Sequence, residues 1–240
     1  MTITEISTIE RSGGIGAHGP SSPSAVFAGR LRALVSRETS ATQVRVPRNA
    51  HVFNVGDRDD GLYLIESGQV KTVTYSRDGK QCLLSIYTTG DVFGELCLLS
   101  TGRAETATAM RSTTLRRIPA TKFRAALADH ELLESFLGYL TLRLTEQQQV
   151  ITNLVTMDSE RRLAAVLLIL ADKLGKRQAL GTRIEQRITQ EELSGMVGTT
   201  RSRVGYFLKR FSEAGLVRRT SDSFLVIDEH SLTNFLEASF

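Results

Sequence analysis

The spacing of apolar positions changes character along the chain, and each change predicts a different kind of element. From about Val44 to Ile118, short alternating segments such as YLI (63–65), VKTVTY (70–75) and CLLSIY (82–87) are punctuated by Gly56, Gly61, Gly68, Gly79 and Gly90. Alternation between regularly placed turns predicts many short strands, hence a sandwich or barrel-like roll. From His130 to Asp158 the period lengthens, with Leu133, Leu137, Leu140, Leu144, Gln147, Ile151 and Leu154 alternately four and three residues apart. That heptad predicts a long helix with an apolar seam, and favours a two-stranded parallel coiled coil over a helix laid against its own roll. Gln147, polar at a seam position, is placed to fix register or touch a ligand. Upstream, Ala25–Glu38 reads as a short amphipathic helix through Phe27, Leu31 and Leu34. Residues 1–24, with Gly13, Gly14, Gly16, Gly19, Pro20, Pro23 and several serines, have no core-forming pattern and read as a flexible tail.

A third pattern occupies Ile188–Phe211, ITQEELSGMVGTTRSRVGYFLKRF. Thr189 followed three residues later by Glu192 is a capping-box start. Leu193 and Val197 lie one turn apart on the helix so begun. Gly198 supplies a turn, Thr199 or Thr200 caps a second helix, and Val204, Phe207, Leu208 and Phe211 recur at helical spacing. Two short helices sharing a small core make a helix-turn-helix. The second presents Arg201, Ser202, Tyr206 and Lys209 outward, flanked by Arg203 and Arg210, side chains suited to base edges and phosphates. Just downstream, Leu216–Arg219 and Phe224–Ile227 read as two strands turning through 220–223, a wing that brings Arg218 and Arg219 near a backbone phosphate.

Charge sharpens that picture. Between Thr200 and Thr220 the basic residues are Arg201, Arg203, Lys209, Arg210, Arg218 and Arg219, against Glu213 alone. Such a concentration is what attraction to a phosphate backbone needs, and its coincidence with cap, turn and second helix separates it from an ordinary solvated face. The chain's 240 residues suffice for two domains, and a net charge of +4 fits a nucleic-acid partner without requiring one. No apolar run reaches the ~18 residues of a membrane span, and no signal pattern opens the chain, so a cytoplasmic protein without a membrane partner is expected. Cys82 and Cys97 form no CxxC pair and His18, His51, His130 and His230 are scattered, which disfavours a disulfide scaffold or a metal site.

The order of these segments resembles the cyclic AMP receptor protein and FNR (Crp/Fnr) family of bacterial transcription regulators, over about residues 27–230. GDRDDGLYLIESGQV (56–70) and GDVFGELCLLSTGRAETATA (90–109) carry the resemblance in the roll, followed by the dimer helix and the helix-turn-helix. It implies an α+β fold: an N-terminal cyclic-nucleotide-binding-type β-roll (jelly roll), a long central dimerisation helix and a C-terminal winged helix-turn-helix. The expected divisions are a tail over 1–24, an effector roll with flanking helices over 25–129, the dimerisation helix over 130–158 and the DNA-binding domain over 159–240. The implied function is a homodimeric regulator on a palindromic operator, with double-stranded DNA and RNA polymerase as partners. The DNA-binding candidates are Thr189, Thr199, Thr200, Arg201, Ser202, Arg203, Tyr206, Lys209 and Arg218. By resemblance Arg201 reads guanine, while Ser202 and Tyr206 replace a glutamate and an arginine common in relatives, which implies a different target sequence. The dimer candidates are Leu137, Leu140, Leu144, Gln147, Ile151 and Leu154.

Effector chemistry is the open part. The resemblance assigns Gly94, Glu95 and Leu96 to a phosphate cassette, with Glu95 on the ribose and a later arginine on the cyclic phosphate. Counting forward without gaps puts Glu105 at that arginine's place, where a carboxylate would repel phosphate. Counting back from the next strand puts Arg103 there, followed by Ala104, and this alignment is preferred because loops change length more readily than strands change register. Gln147 and Gln148 stand where relatives present a threonine and serine to adenine. Cyclic AMP, cyclic GMP, cyclic di-GMP or no ligand all remain open as effector. Iron–sulfur and haem sensing lack a ligand pattern. Two rivals share parts of the pattern: a cyclic-nucleotide signalling module, which has no use for residues 188–211, and a nonspecific architectural DNA binder. No catalytic constellation or phosphate loop supports an enzyme.

Overall fold

The computed structural model describes residues 22–37, 41–77, 79, 81–99, 102–222 and 224–238; most of the expected tail therefore lies outside the described residues. The first helix, α1, spans Pro23–Arg37, two residues earlier than the apolar pattern predicted. Its start is set by Ser22, whose hydroxyl accepts the amide of Ala25 at 3.2 Å.

Eight strands follow, β1 (Thr42–Val46), β2 (His51–Phe53), β3 (Gly61–Ser67), β4 (Gln69–Tyr75), β5 (Gln81–Thr88), β6 (Val92–Phe93), β7 (Thr106–Ala109) and β8 (Thr113–Pro119). They form two four-stranded sheets, ordered β1-β8-β3-β6 and β2-β7-β4-β5. The sheets enclose Phe53, Tyr63, Ile65, Val70, Tyr87, Phe93 and Leu115, with the Tyr63 and Phe93 rings stacked at 5.3 Å. The alternate β3 residues Leu62 and Leu64 point the other way and are equally buried, under helices. A strand buried on both faces reads as an unbroken apolar run, as YLI does.

The cover on that outer face is α1, α2 (Ala120–Ala126) and the long α3 (His130–Thr156). Phe27, Phe123, Phe136 and Tyr139 make its aromatic core, the Phe27 ring lying 5.2 Å from Phe136 and 5.1 Å from Tyr139. Asp129 starts α3 by accepting the amide of Leu132. The face of α3 against the roll is thus Leu132, Phe136 and Tyr139, and it includes one expected seam position, Leu140, which packs on the same core, whereas Leu137, Leu144 and Ile151 are 53%, 59% and 61% exposed.

Asp158 breaks the helix at its end and restarts the chain, its carboxylate accepting amides of Glu160 and Arg161 to begin α4 (Ser159–Leu174). Next come a hairpin of β9 (Gly175–Gln178) and β10 (Gly181–Ile184), helices α5 (Gln190–Val197) and α6 (Arg201–Glu213), the wing strands β11 (Val217–Arg219) and β12 (Leu225–Ile227), and α7 (Glu229–Glu237). The wing is wider than the sequence suggested. β10 pairs with β12, giving the sheet β11-β12-β10-β9.

The two halves of the chain share a core. Val73, Leu83, Ile86 and Met110 of the roll belong to the same apolar cluster as Leu163, Leu167, Leu193 and Val197. At Gly195 a Cβ would come 3.0 Å from the carbonyl oxygen of Gln81, so the α5 backbone rests directly on β5.

Candidate functional site

The helix-turn-helix is assembled by short-range chemistry. Thr189 accepts the Glu192 amide at 3.1 Å, and Glu192 accepts the Thr189 amide at 2.8 Å, completing the reciprocal cap. Gly198 ends α5 at φ 70, ψ 44, a left-handed conformation natural to glycine. Thr200, rather than Thr199, then caps α6 by accepting the Arg203 amide at 3.3 Å. Val204, Phe207, Leu208 and Phe211 are buried, while Arg201, Ser202, Arg203, Tyr206 and Lys209 are exposed along the opposite side.

Three expected members of this face differ in disposition. Thr199 is 7% exposed, withdrawn into the turn where its amide bonds the Ser194 carbonyl, so it is not presented to a groove. Arg210 pairs with Glu160 of α4 at 2.8 Å, tying the end of the recognition helix to its own domain. Arg218 is exposed but donates to the carbonyl of Leu180 in the β9–β10 hairpin. Sequence reasoning missed that hairpin, which adds exposed Lys176 and Arg177 to the basic edge of the wing sheet.

A contact between the halves bears on the motif. Lys71 of β4 pairs with Glu192 at 2.5 Å, their side chains 20% and 14% exposed. Burial raises the Glu192 carboxyl, but the Lys71 hydrogen bond and the Thr189 cap outweigh it and hold the group below the usual range. The carboxylate that caps the reading motif is thus also the roll's handle on it.

In the roll, a cavity of about 330 Å³ opens between the second sheet and α3. Thr72, Leu84 and Tyr87 line it from the strands, Glu95 and Leu96 from a 3-10 turn, Glu105 from the residue just before β7, and Arg143, Leu144 and Gln147 from α3. Arg143 is held to the wall by Tyr87 Oη and Glu146, both at 2.8 Å, and by Ser85 Oγ at 3.1 Å. It continues the stripe Leu132, Phe136 and Tyr139 by one helical step, a spacing that could have singled it out.

The expected arginine is not in this cavity. Arg103, 4% exposed, turns inward: it donates to the carbonyls of Gly94, at 2.7 Å, and Gly61, and to the Asp59 carboxylate. Its guanidinium lies 4.0 Å over the Phe53 ring. Burial raises the Asp59 carboxyl, but hydrogen bonds from Arg103, Tyr63 and Arg117 prevail and hold it below the usual range. Arg103 is a fastening of the loop to the roll, and the gapless alignment is the one the geometry follows: Glu105 faces the cavity. Ala104 and Gln148 are exposed and do not line the cavity either. Burial first, then the Glu95 charge, push the Glu105 carboxyl above the usual range. The Thr72 hydroxyl leans toward it outside good hydrogen-bond geometry. Glu95 and Gln147 suit the hydroxyls and base of a nucleotide, but the carboxylate of Glu105 does not suit its cyclic phosphate.

A roll with a ligand-sized cavity, followed by the long helix α3 and then an exposed basic helix-turn-helix, defines a DNA-binding transcription regulator built on an effector-type domain. Residues 43–130 match the cyclic nucleotide-binding domain family, and residues 161–235 match the Crp-like helix-turn-helix domain. Over 210 residues the chain is 32% identical to a CRP-like cAMP-activated global transcriptional regulator of Mycobacterium tuberculosis, covering 86% of this chain and 94% of that one. A CRP-family regulator of Thermus thermophilus superposes with a TM-score of 0.70 at 26% identity, covering 81% of this chain and 96% of that one. The c-di-GMP responsive global regulator CLP of Xanthomonas campestris shares the fold, with a TM-score of 0.70 at 22% identity over 83% of this chain and 98% of that one. The chain belongs to the Crp/Fnr family of transcription regulators. Among the described residues no helix is long and apolar enough to cross a membrane, and no group of three or more histidine, cysteine or acidic residues is placed to hold a metal.

Proposed function

We propose that the protein acts in the cytoplasm as a homodimer on a palindromic operator, recruits or obstructs RNA polymerase there, and performs no catalysis. The observation that carries this reading is the outward stripe Leu137, Leu144, Ile151 and Leu154 on α3, each at least 46% exposed in the single chain. An apolar heptad seam of this length is buried by pairing with its twin, and a twofold pair of α6 helices can then read half-sites about one turn apart. Arg201, Ser202 and Tyr206 are assigned to base edges, and Thr189, Thr200, Arg203 and Lys209 to phosphates. The roll, over 25–129, serves as the effector domain and 159–240 as the reading domain, with Asp158 between them.

The test is selection of sites from a randomised duplex pool at fixed salt, with sedimentation to give the oligomeric state. A recovered palindrome, bound by a dimer, is expected. For Arg201→Ala, discrimination against a half-site with the contacted guanine replaced should fall by about 5- to 150-fold. Equal weakening on every sequence would reassign Arg201 to phosphate, and no enriched palindrome would leave only a nonspecific architectural binder.

A further inference from the structure

The roll cavity carries a charge imbalance that DNA reading does not use. Arg143 is matched by Glu146 at 2.8 Å, and Lys173 approaches the same carboxylate at 3.5 Å. Glu95 and Glu105, facing the same space, are in no ion pair among the described residues. Glu105 is 8% exposed, so its carboxylate meets the cavity rather than bulk water. The one arginine nearby in sequence, Arg103, is already committed to Asp59. Leu84, Leu96 and Leu144 supply apolar surface to the same lining.

We propose that this cavity binds an organic cation, an amine or guanidinium compound with an apolar body, and disfavours cyclic phosphates. The ligand's cationic end sits between Glu95 and Glu105, where a positive charge removes the mutual repulsion of two carboxylates in a poorly solvated space. Its body lies along the leucine wall, and the Gln147 amide closes the far side with donors and acceptors for a polar substituent. A cyclic phosphate in the same place would bring a third negative charge against a buried carboxylate. The raised proton affinity of Glu105 has the same origin, burial followed by the Glu95 charge, and a bound cation relieves its electrostatic part. The proposal rests on the reading of the roll as an effector domain and gives that domain a ligand class.

The experiment is calorimetric titration of the full-length protein, without DNA, with agmatine, spermidine, tyramine and cyclic AMP. The variants are Glu105→Gln, which keeps shape and removes charge, and Glu105→Arg. The expected result is that at least one amine binds the native protein and binds Glu105→Gln on the order of tenfold or more weakly. Cyclic AMP should bind Glu105→Gln more tightly than the native protein, and Glu105→Arg more tightly still. Failure of all three amines to bind overturns the proposal, as does amine binding indifferent to Glu105→Gln, or cyclic AMP binding that is tightest in the native protein. If Glu105→Arg does not fold, the comparison with Glu105→Gln decides alone. Palindrome selection is scored separately. A palindrome retained without amine binding overturns the ligand class only, whereas amine binding without a palindrome overturns the regulator reading and leaves the pocket assignment standing.

Discussion

Replacing Asp59 by alanine leaves the Arg103 guanidinium buried with two backbone carbonyls and an aromatic face but no counter-charge. The Arg103 side chain is 2% exposed and, among the described residues, is ion-paired to Asp59 alone. Stripping the partner from a buried charge typically costs about 3–5 kcal/mol, because the remaining ion keeps its desolvation without its compensation. The second pair lost, Arg117 to Asp59, is 30% exposed on the arginine side and adds less than about 1 kcal/mol. For a chain of this size the sum, about 3–6 kcal/mol, corresponds to a fall in Tm of about 6–24 °C. Urea unfolding followed by circular dichroism measures it, with Asp59→Asn expected to lose less because an acceptor oxygen remains. The sign with pH is fixed as well. The folded carboxyl titrates below its ordinary value of 3.8, so its stabilisation is present above that pH and is lost as pH falls through the depressed value. The gap between native and Asp59→Ala proteins therefore narrows in acid. A loss below about 1 kcal/mol at neutral pH would mean that Arg103 is solvated or swings into the cavity, and would refute the fastening role assigned to it.

Three further outcomes are expected. Glu105→Gln should raise the urea midpoint at pH 8: the folded carboxyl titrates above its ordinary 4.5, so the native group's favourable contribution is present below that pH and is lost as pH rises through the raised value. The advantage should close toward pH 4.5, and a gap of opposite sign or one indifferent to pH would contradict the burial argument. A double-mutant cycle on Lys71→Ala and Glu192→Gln should show a coupling of about 1–3 kcal/mol in unfolding, as expected for a half-desolvated pair, and additivity would mean the two halves of the chain are not joined there. Gly198→Ala should cost about 1–2 kcal/mol through its left-handed backbone, and Gly198→Asn less, by thermal unfolding; equal stability of all three would deny the strained turn.

What the sequence disclosed and what it withheld divide along physical lines. Thr189, Glu192 and Gly198 were legible because caps and turns are fixed by residues within four positions of one another. The long helix α3 was legible because a heptad repeats its own signal along the whole element. The strands of the roll were legible as a class, but their pairing was not, since β1 meets β8 across about 70 residues of chain. Arg103 was misplaced for the same reason: Asp59, which decides its direction, is 44 residues away. Whether Thr199 or Thr200 caps α6 turns on one residue of backbone geometry that pattern cannot resolve. The β9–β10 hairpin, only four residues to a strand and nearly free of apolar side chains, gave no alternation to detect.

Helix α3 wears two stripes, and they meet. Tyr139 and Arg143 hold it against the roll, Leu137 and Ile151 turn away from it, and Leu144 and Gln147 belong both to the cavity wall and to the heptad seam. Farther along, Leu154 reaches the turn of the reading motif, its Cδ2 3.3 Å from where a side chain on Gly198 would begin. In a dimer joined along that seam, no relay of moving parts is needed between the chemical that is sensed and the sequence that is read. On the proposed ligand and dimer, the wall that feels the one would also be the surface that finds the other, so a lineage changing its effector through Leu144 or Gln147 would renegotiate its own pairing with every substitution.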